Sequence, residues 1–225
     1  MIRSVLLAAW PLIALGAGTS VAAEELGHPR SGQAVAIVEE VSGVAVGIKR
    51  LDLLRESEII DLGEDGQIVL GFLQSCWQDS VWRGQVTVGA QQSRVDGGML
   101  IRRRVECDPT GNLEMVTGRA SGRRKSAESG ASSSSEPDIV LFGRSPIVLF
   151  PGPGQTLVIE RLDSTATPVR NEATGDRLDL ADHGVVLATN GLYRAAAGGA
   201  VVVFRIDRLA ESGRTPAAGR LLVLR

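Results

Sequence analysis

From residue 33 onward, short apolar runs alternate with glycine, proline and Asn-Gly breaks. Nowhere does an apolar stripe recur at helical spacing for three turns. Residues 33–41 (QAVAIVEEV) and 44–49 (VAVGIK) read as strands joined at Ser42-Gly43. Residues 58–62 (EIIDL) lead through the turn Gly63-Glu64-Asp65-Gly66 into 67–74 (QIVLGFLQ), where Ile68, Leu70 and Phe72 share one face at period two. Strands over 81–88 and 99–107 continue the series across Gly97-Gly98, and 52–57 has room for one helical turn at most. Beyond residue 138 the same style predicts strands at 139–142, 147–150, 157–162, 177–180, 185–188, 192–195, 201–206 and 220–225. Val202, Phe204 and Ile206 form a core face there. Short strands punctuated roughly every 8–12 residues predict an all-β protein built as sandwiches or small barrels.

Composition divides this pattern. Residues 119–137 read RASGRRKSAESGASSSSEP, with four consecutive serines and almost no apolar side chain. Such a stretch cannot bury enough surface to order itself, and it reads as a flexible linker. It separates an N-terminal β module at 27–118 from a C-terminal β-sandwich module at 138–225. The first residues have the three-part secretory pattern: Arg3, an apolar run from Val5 to Gly18, then Val21-Ala22-Ala23 before Glu24-Glu25. The apolar run of about 14 residues is shorter than the roughly 20 needed to span a bilayer, so a signal peptide cleaved after Ala23 is expected. With no cysteine near that point, a lipid anchor on cysteine is not expected.

The chain of 225 residues is 44% hydrophobic and 22% charged, with a net charge of −2. A balance so close to neutral argues against general nucleic-acid affinity, and the modest hydropathy argues against several membrane spans. The eight aromatic residues are too few for the girdles of an outer-membrane barrel. All but two of the 24 basic residues are arginine, the exceptions being Lys49 and Lys125. With abundant alanine and glycine, that is the mark of a GC-rich bacterial coding sequence. Together with the signal peptide it makes the periplasm, or secretion, the expected location.

Little catalytic chemistry is visible. Cys76 and Cys107 are the only cysteines, and in an oxidising compartment an isolated pair forms a structural disulfide. His183, in GDRLDLADHG with Asp176, Asp179 and Asp182, is the one candidate general base. Its spacing fits a solvated turn, and no nucleophile motif accompanies it. Residues 61–72 meet a calcium-loop template only at Asp61, Asp65 and Gly66, so a tight turn is expected. No metal site and no cofactor are expected. Trp77 and Trp82 bracket CWQDSVW after the first cysteine; a tryptophan beside a disulfide packs in a core, whereas one exposed near Arg83 is a binding anchor. Arg102 and Arg104 project together from one strand as a further basic pair, beside the linker cluster at 123–125.

The segments QAVAIVEEVSGVAVG and LDLLRESEIIDLGEDGQIVLGF, within residues 33–74, resemble the β modules of FecR-type bacterial periplasmic proteins. The shared rhythm is a strand, a glycine turn, a Leu-polar-Ile strand and an apolar strand preceded by glycine. The resemblance implies envelope sensing or protein–protein contact rather than catalysis, and transfers no particular residue. The expectation is therefore an exported non-enzymatic binding or sensing module. Its partner would be another periplasmic protein or an anionic surface polymer, contacted through Trp77, Trp82, Arg83, Arg102 and Arg104. A structural or inhibitory secreted protein is the alternative, and a hydrolase using His183 the remotest.

Overall fold

The computed structural model describes residues 33–43, 47–112, 136–214 and 216–224. The signal-peptide reading at 1–23 and the linker reading at 119–135 lie outside the described residues. Sixteen strands are present among the described residues, arranged in four sheets with almost no helix, as the sequence predicts.

Sheet A has the order β2 (Leu53–Arg55), β1 (Ala34–Ser42), β4 (Gln67–Phe72), β5 (Trp77–Trp82) and β8 (Met99–Arg104), all neighbours antiparallel. Sheet B pairs β3 (Ile59–Asp61), β6 (Gln85–Val88) and β7 (Ser93–Asp96). Period-two alternation sends Ile68, Leu70, Phe72 and Val81 of sheet A against Ile60, Val86 and Val88 of sheet B, closing a first core. Sheet C runs β12 (Val169–Ala173), β11 (Gln155–Arg161), β14 (Leu192–Ala197), β15 (Ala200–Glu211) and β9 (Ile139–Gly143). Sheet D runs β13 (Arg177–Asp179), β10 (Ile147–Leu149) and β16 (Leu221–Val223).

Sheet D is buried on both faces. Ile147 and Leu149 of β10, with Leu221 and Val223 of β16, pack with Ile37, Leu73, Cys76 and Cys107 from the first half of the chain. The intervening Val148 and Leu222 turn the other way, into the core under sheet C with Leu157, Tyr193 and Phe204. This is why 147–150 (IVLF) and 221–224 (LLVL) are continuous apolar runs rather than alternating ones. The described residues from 33 onward accordingly make one compact unit, with a shared core between the stretches that flank 119–137. Cys76 and Cys107 form the expected disulfide within that shared core, their Cα atoms 5.6 Å apart.

Several local details differ from the sequence reading. Leu53–Arg55 is an edge strand rather than a helical turn, because buried Leu54 pairs with Ala36 and Val38 N–H donates to Asp52 O at 2.9 Å. The expected strand at 81–88 is broken at Arg83-Gly84, where positive φ in both residues turns the chain from sheet A into sheet B. Residues 47–49 are not in a strand, and neither are 185–188, where Leu187 N–H donates to Arg144 O. The polar strands β7 and β12, SRVD and VRNEA, carry no apolar alternation that would announce them.

Candidate functional site

The face of sheet A that looks toward sheet D is only partly covered. Sheet D meets it around Ile37 and Leu73; beyond that cover, the strand registers line up two further rows. One row is Glu40, Val69, Ser80 and Ile101, and the next is Ser42, Gln67, Trp82 and Met99, running from β1 to β8. Four strands at about 4.8 Å spacing make a platform roughly 14 Å across. At its outer side Met99 and Ile101 are 52% and 55% exposed, with half-buried Trp82 and Ser80 alongside. At its inner side lies a polar cleft of about 320 Å³, lined among others by Glu39, Ser42, Arg50, Gln67, Arg214 and Arg220.

The outer boundary of the platform is β8. No described residue pairs with its far edge. The bonds from Arg83 N–H to Gly66 O (2.8 Å) and from Val105 N–H to Cys76 O (2.9 Å) set the alternation of the ladders. Backbone groups of Met99, Ile101 and Arg103 therefore face β5, and those of Leu100, Arg102 and Arg104 face outward.

The three arginines of β8 do different things. Arg102 is bound to the fully buried Asp79, with Nε donating to Oδ1 at 2.6 Å and Nη2 to Oδ2 at 2.9 Å. It also donates to Gln92 Oε1 at 2.8 Å and to Ser93 O at 2.9 Å, so its charge is spent inside the fold. The bond to Asp79 holds the guanidinium more firmly protonated than usual. Arg104 lies over the Trp77 ring, 5.5 Å from its centroid, and Trp77 in turn packs against the first core. Arg103, exposed on the platform face, donates from Nε to Gln78 Oε1. Among the described residues neither Arg103 nor Arg104 meets a carboxylate. Arg83 is exposed in the left-handed turn that follows Trp82, at φ 55°.

A polar chain crosses the sheet behind the platform. Arg103 donates to Gln78, Gln78 Nε2 donates to Glu39 Oε2, and Glu39 Oε1 accepts from Ala217 N–H at 2.9 Å in the 3-10 turn Ala217–Gly219. Glu39 sits at a bulge of β1 between Val38 and Glu40. To reach Gln78 it must pass over β4, and Gly71 opens the way: a Cβ there would collide with Glu39 Oε1. Burial pushes the Glu39 carboxyl up from its ordinary range, against the opposing pull of Gln78, the Ala217 and Ala218 amides and the Arg220 charge.

The cleft wall is an ion-pair network. Arg220, 1% exposed, donates to Asp179 at 2.8 and 3.0 Å and to Ser145 O at 2.6 Å. Arg50 reaches Asp179 as well, and bonds Asp182 at 3.1 Å; Arg214 bonds Asp182 at 2.5 Å. Burial pushes the Asp179 carboxyl up, but the Arg220 bonds and charge outweigh it and leave the group below its ordinary value.

The acids near His183 are thus tied to arginines: Asp179 to Arg220 and Arg50, Asp182 to Arg50 and Arg214, and Asp176 to Arg177. His183 itself is exposed in the turn after β13, its N–H donating to Leu180 O, and no described carboxylate orients its ring. At the calcium-like stretch Asp61 Oδ1 accepts from Gly63 N–H at 2.9 Å, a local turn; no group of three potential metal ligands occurs among the described residues.

Of the residues singled out from sequence, the structure brings Trp82 and Arg83 to the platform's end and Arg104 to its edge, while Arg102 and Trp77 belong to the packing beneath. Sequence reading missed Met99, Ile101, Gln67 and the Glu39–Gln78–Arg103 chain. The alternation in MLIRRR was the available signal, but nothing in it says which face the second half of the chain leaves bare. Comparison of the chain with known protein families, characterised proteins and solved structures returned no match.

Proposed function

We propose that this chain is an exported, non-enzymatic binding or sensing protein of the bacterial envelope, with the outer part of the platform, on β4, β5 and β8, as its contact face. The observation that carries the reading is the pair Met99 and Ile101, both more than half exposed beside Trp82 on a sheet face and lying on a strand whose outer edge no described residue pairs. Apolar side chains grouped in this way at a rim of arginine and glutamine have the composition of a recognition patch rather than of ordinary surface. A disulfide in the shared core, and the absence of any helix among the described residues long and apolar enough to cross a membrane, are compatible with export. The secretory pattern at 1–23 and the likeness of residues 33–74 to FecR-type modules support the same compartment and role.

The test is crosslinking in intact cells. A photoreactive residue at Ile101 is compared with one at Leu209, which is still more exposed but lies on β15, away from the platform. The reading expects a discrete adduct with an envelope protein from position 101 and none from 209, in a mature form whose N-terminus is Glu24. Equal labelling from both positions, or retention of the full-length chain in the cytosol, would overturn it.

A further inference from the structure

We infer that β8 receives a partner by strand addition, and that the incoming strand is an extended segment of another protein in which apolar and acidic residues alternate. The inference rests on the binding reading above and specifies its mode.

The backbone supplies the first argument. The groups of Leu100, Arg102 and Arg104 that point away from β5 form a row of donors and acceptors over six residues of regular strand, Met99–Arg104. Exposed edges of this kind pair with another chain unless something blocks them. Elsewhere the protein shows such a block: Asp108 Oδ2 accepts from Val140 N–H at 3.1 Å on the edge strand β9. β8 has no proline and no bulge in its ladder to β5, and no described side chain caps its outer amides.

The side chains supply the second. A strand laid beside β8 has every other residue on the platform face, next to Met99 and Ile101, where apolar groups gain burial. The residues between them fall on the opposite face, next to Arg104. Arg102 is neutralised by Asp79, but Arg104 meets only the Trp77 ring and Arg103 only the neutral Gln78. Arg104, without a carboxylate on that face, selects acidic residues at the guest positions beside it and repels basic ones, while Arg103 flanks the apolar positions on the platform face. A second copy of this chain does not meet that requirement, since its β8, MLIRRR, offers no acidic residue to Arg104.

Fluorescence anisotropy on the full exported chain tests this with two labelled nonapeptides, one alternating Glu with Val and the other Lys with Val. The Glu/Val peptide is expected to bind at least tenfold more tightly. Arg104→Glu should reverse that preference, and Ile101→Lys should weaken binding at least fivefold. Both changes fall on exposed side chains, and an unchanged urea-unfolding midpoint confirms that each variant is folded. Leu100→Pro, which removes an outward amide, should abolish binding; circular dichroism checks its fold. Binding indifferent to peptide charge, or unaffected by Ile101→Lys, would overturn the inference. A dimer in sedimentation that Ile101→Lys dissolves would also overturn it, with a second copy as occupant. If position 101 still crosslinks in cells while the peptides are not distinguished, strand addition fails and the binding reading stands. If neither is seen, both fail.

Discussion

Replacing Asp179 by Asn removes one carboxylate on which two guanidiniums depend. Arg220 is almost wholly buried and holds both carboxylate oxygens, while Arg50, about a third exposed, holds one. Asn keeps the volume and can still accept from Ala181 N–H, which donates to Oδ1 at 3.0 Å, so the loss is one of charge. Breaking a buried pair by removing one partner is worth about 3–5 kcal/mol, and the solvent-screened Arg50 contact adds at most about 1. A domain is stable by about 5–15 kcal/mol, so the variant sits near the edge of folding at 37 °C. In urea, with a slope of about 2 kcal/mol per molar, the midpoint should fall by about 2 M. Asp179→Leu combined with Arg220→Met should recover most of that loss, because it removes both buried charges. There is also an acid signature. The folded carboxyl lies below its ordinary 3.8, so its stabilisation is complete above that pH and is lost as pH falls through the folded value. The variant should lack this limb. Sheet D joins both halves, so a single transition should move as a whole. A loss under about 1 kcal/mol, or two transitions of which only one shifts, would refute the reasoning.

Three other outcomes follow from the same geometry. Reducing the Cys76–Cys107 bond, whose partners are 31 residues apart, should destabilise by about 3.5–4 kcal/mol, and near-ultraviolet dichroism should show Tyr193 and the tryptophans melting together, because the cystine lies in the shared core. Gly71→Ala should cost about 1–3 kcal/mol, read by urea unfolding, and less in a Glu39→Ala background where the obstructing carboxylate is gone. Because the folded Glu39 carboxyl titrates above its ordinary 4.5, the folded state holds that proton longer; the wild type should lose stability relative to Glu39→Gln as pH rises from about 4.5 toward neutrality, and a difference that stays constant with pH would contradict the buried carboxyl.

Strands and turns were legible because period-two runs such as QIVLGF and VVVFRI, closed by Gly and Asn-Gly, leave few alternatives. The cystine was legible from cysteine arithmetic alone. What stayed hidden depends on packing between segments distant in sequence. In VEEV nothing distinguishes Glu39, which turns inward at a bulge to meet Ala217 some 178 residues away, from Glu40, which stays exposed. In AGRLLVLR, Arg220 looks like the terminal charge of a strand, yet among the described residues it is one of the largest fully buried side chains. The polar composition of 119–137 reads as a boundary, but it carries no information on whether its flanks share a core; the unbroken apolar runs at 147–150 and 221–224 were the trace of that sharing. Arg102 and Arg104 share a strand face as expected, but only the position of Asp79 decides that one is structural and the other available.

Hydrogen–deuterium exchange of the full chain, with and without saturating Glu/Val peptide, tests the working surface most directly. The outward amides of Leu100, Arg102 and Arg104 should exchange readily in the free protein and slow at least tenfold when the peptide is bound. Those of Met99, Ile101 and Arg103, already bonded to β5, should change little. Uniform slowing along β8, or protection appearing instead around the cleft at Arg50 and Arg214, would contradict an edge that binds by accepting a strand.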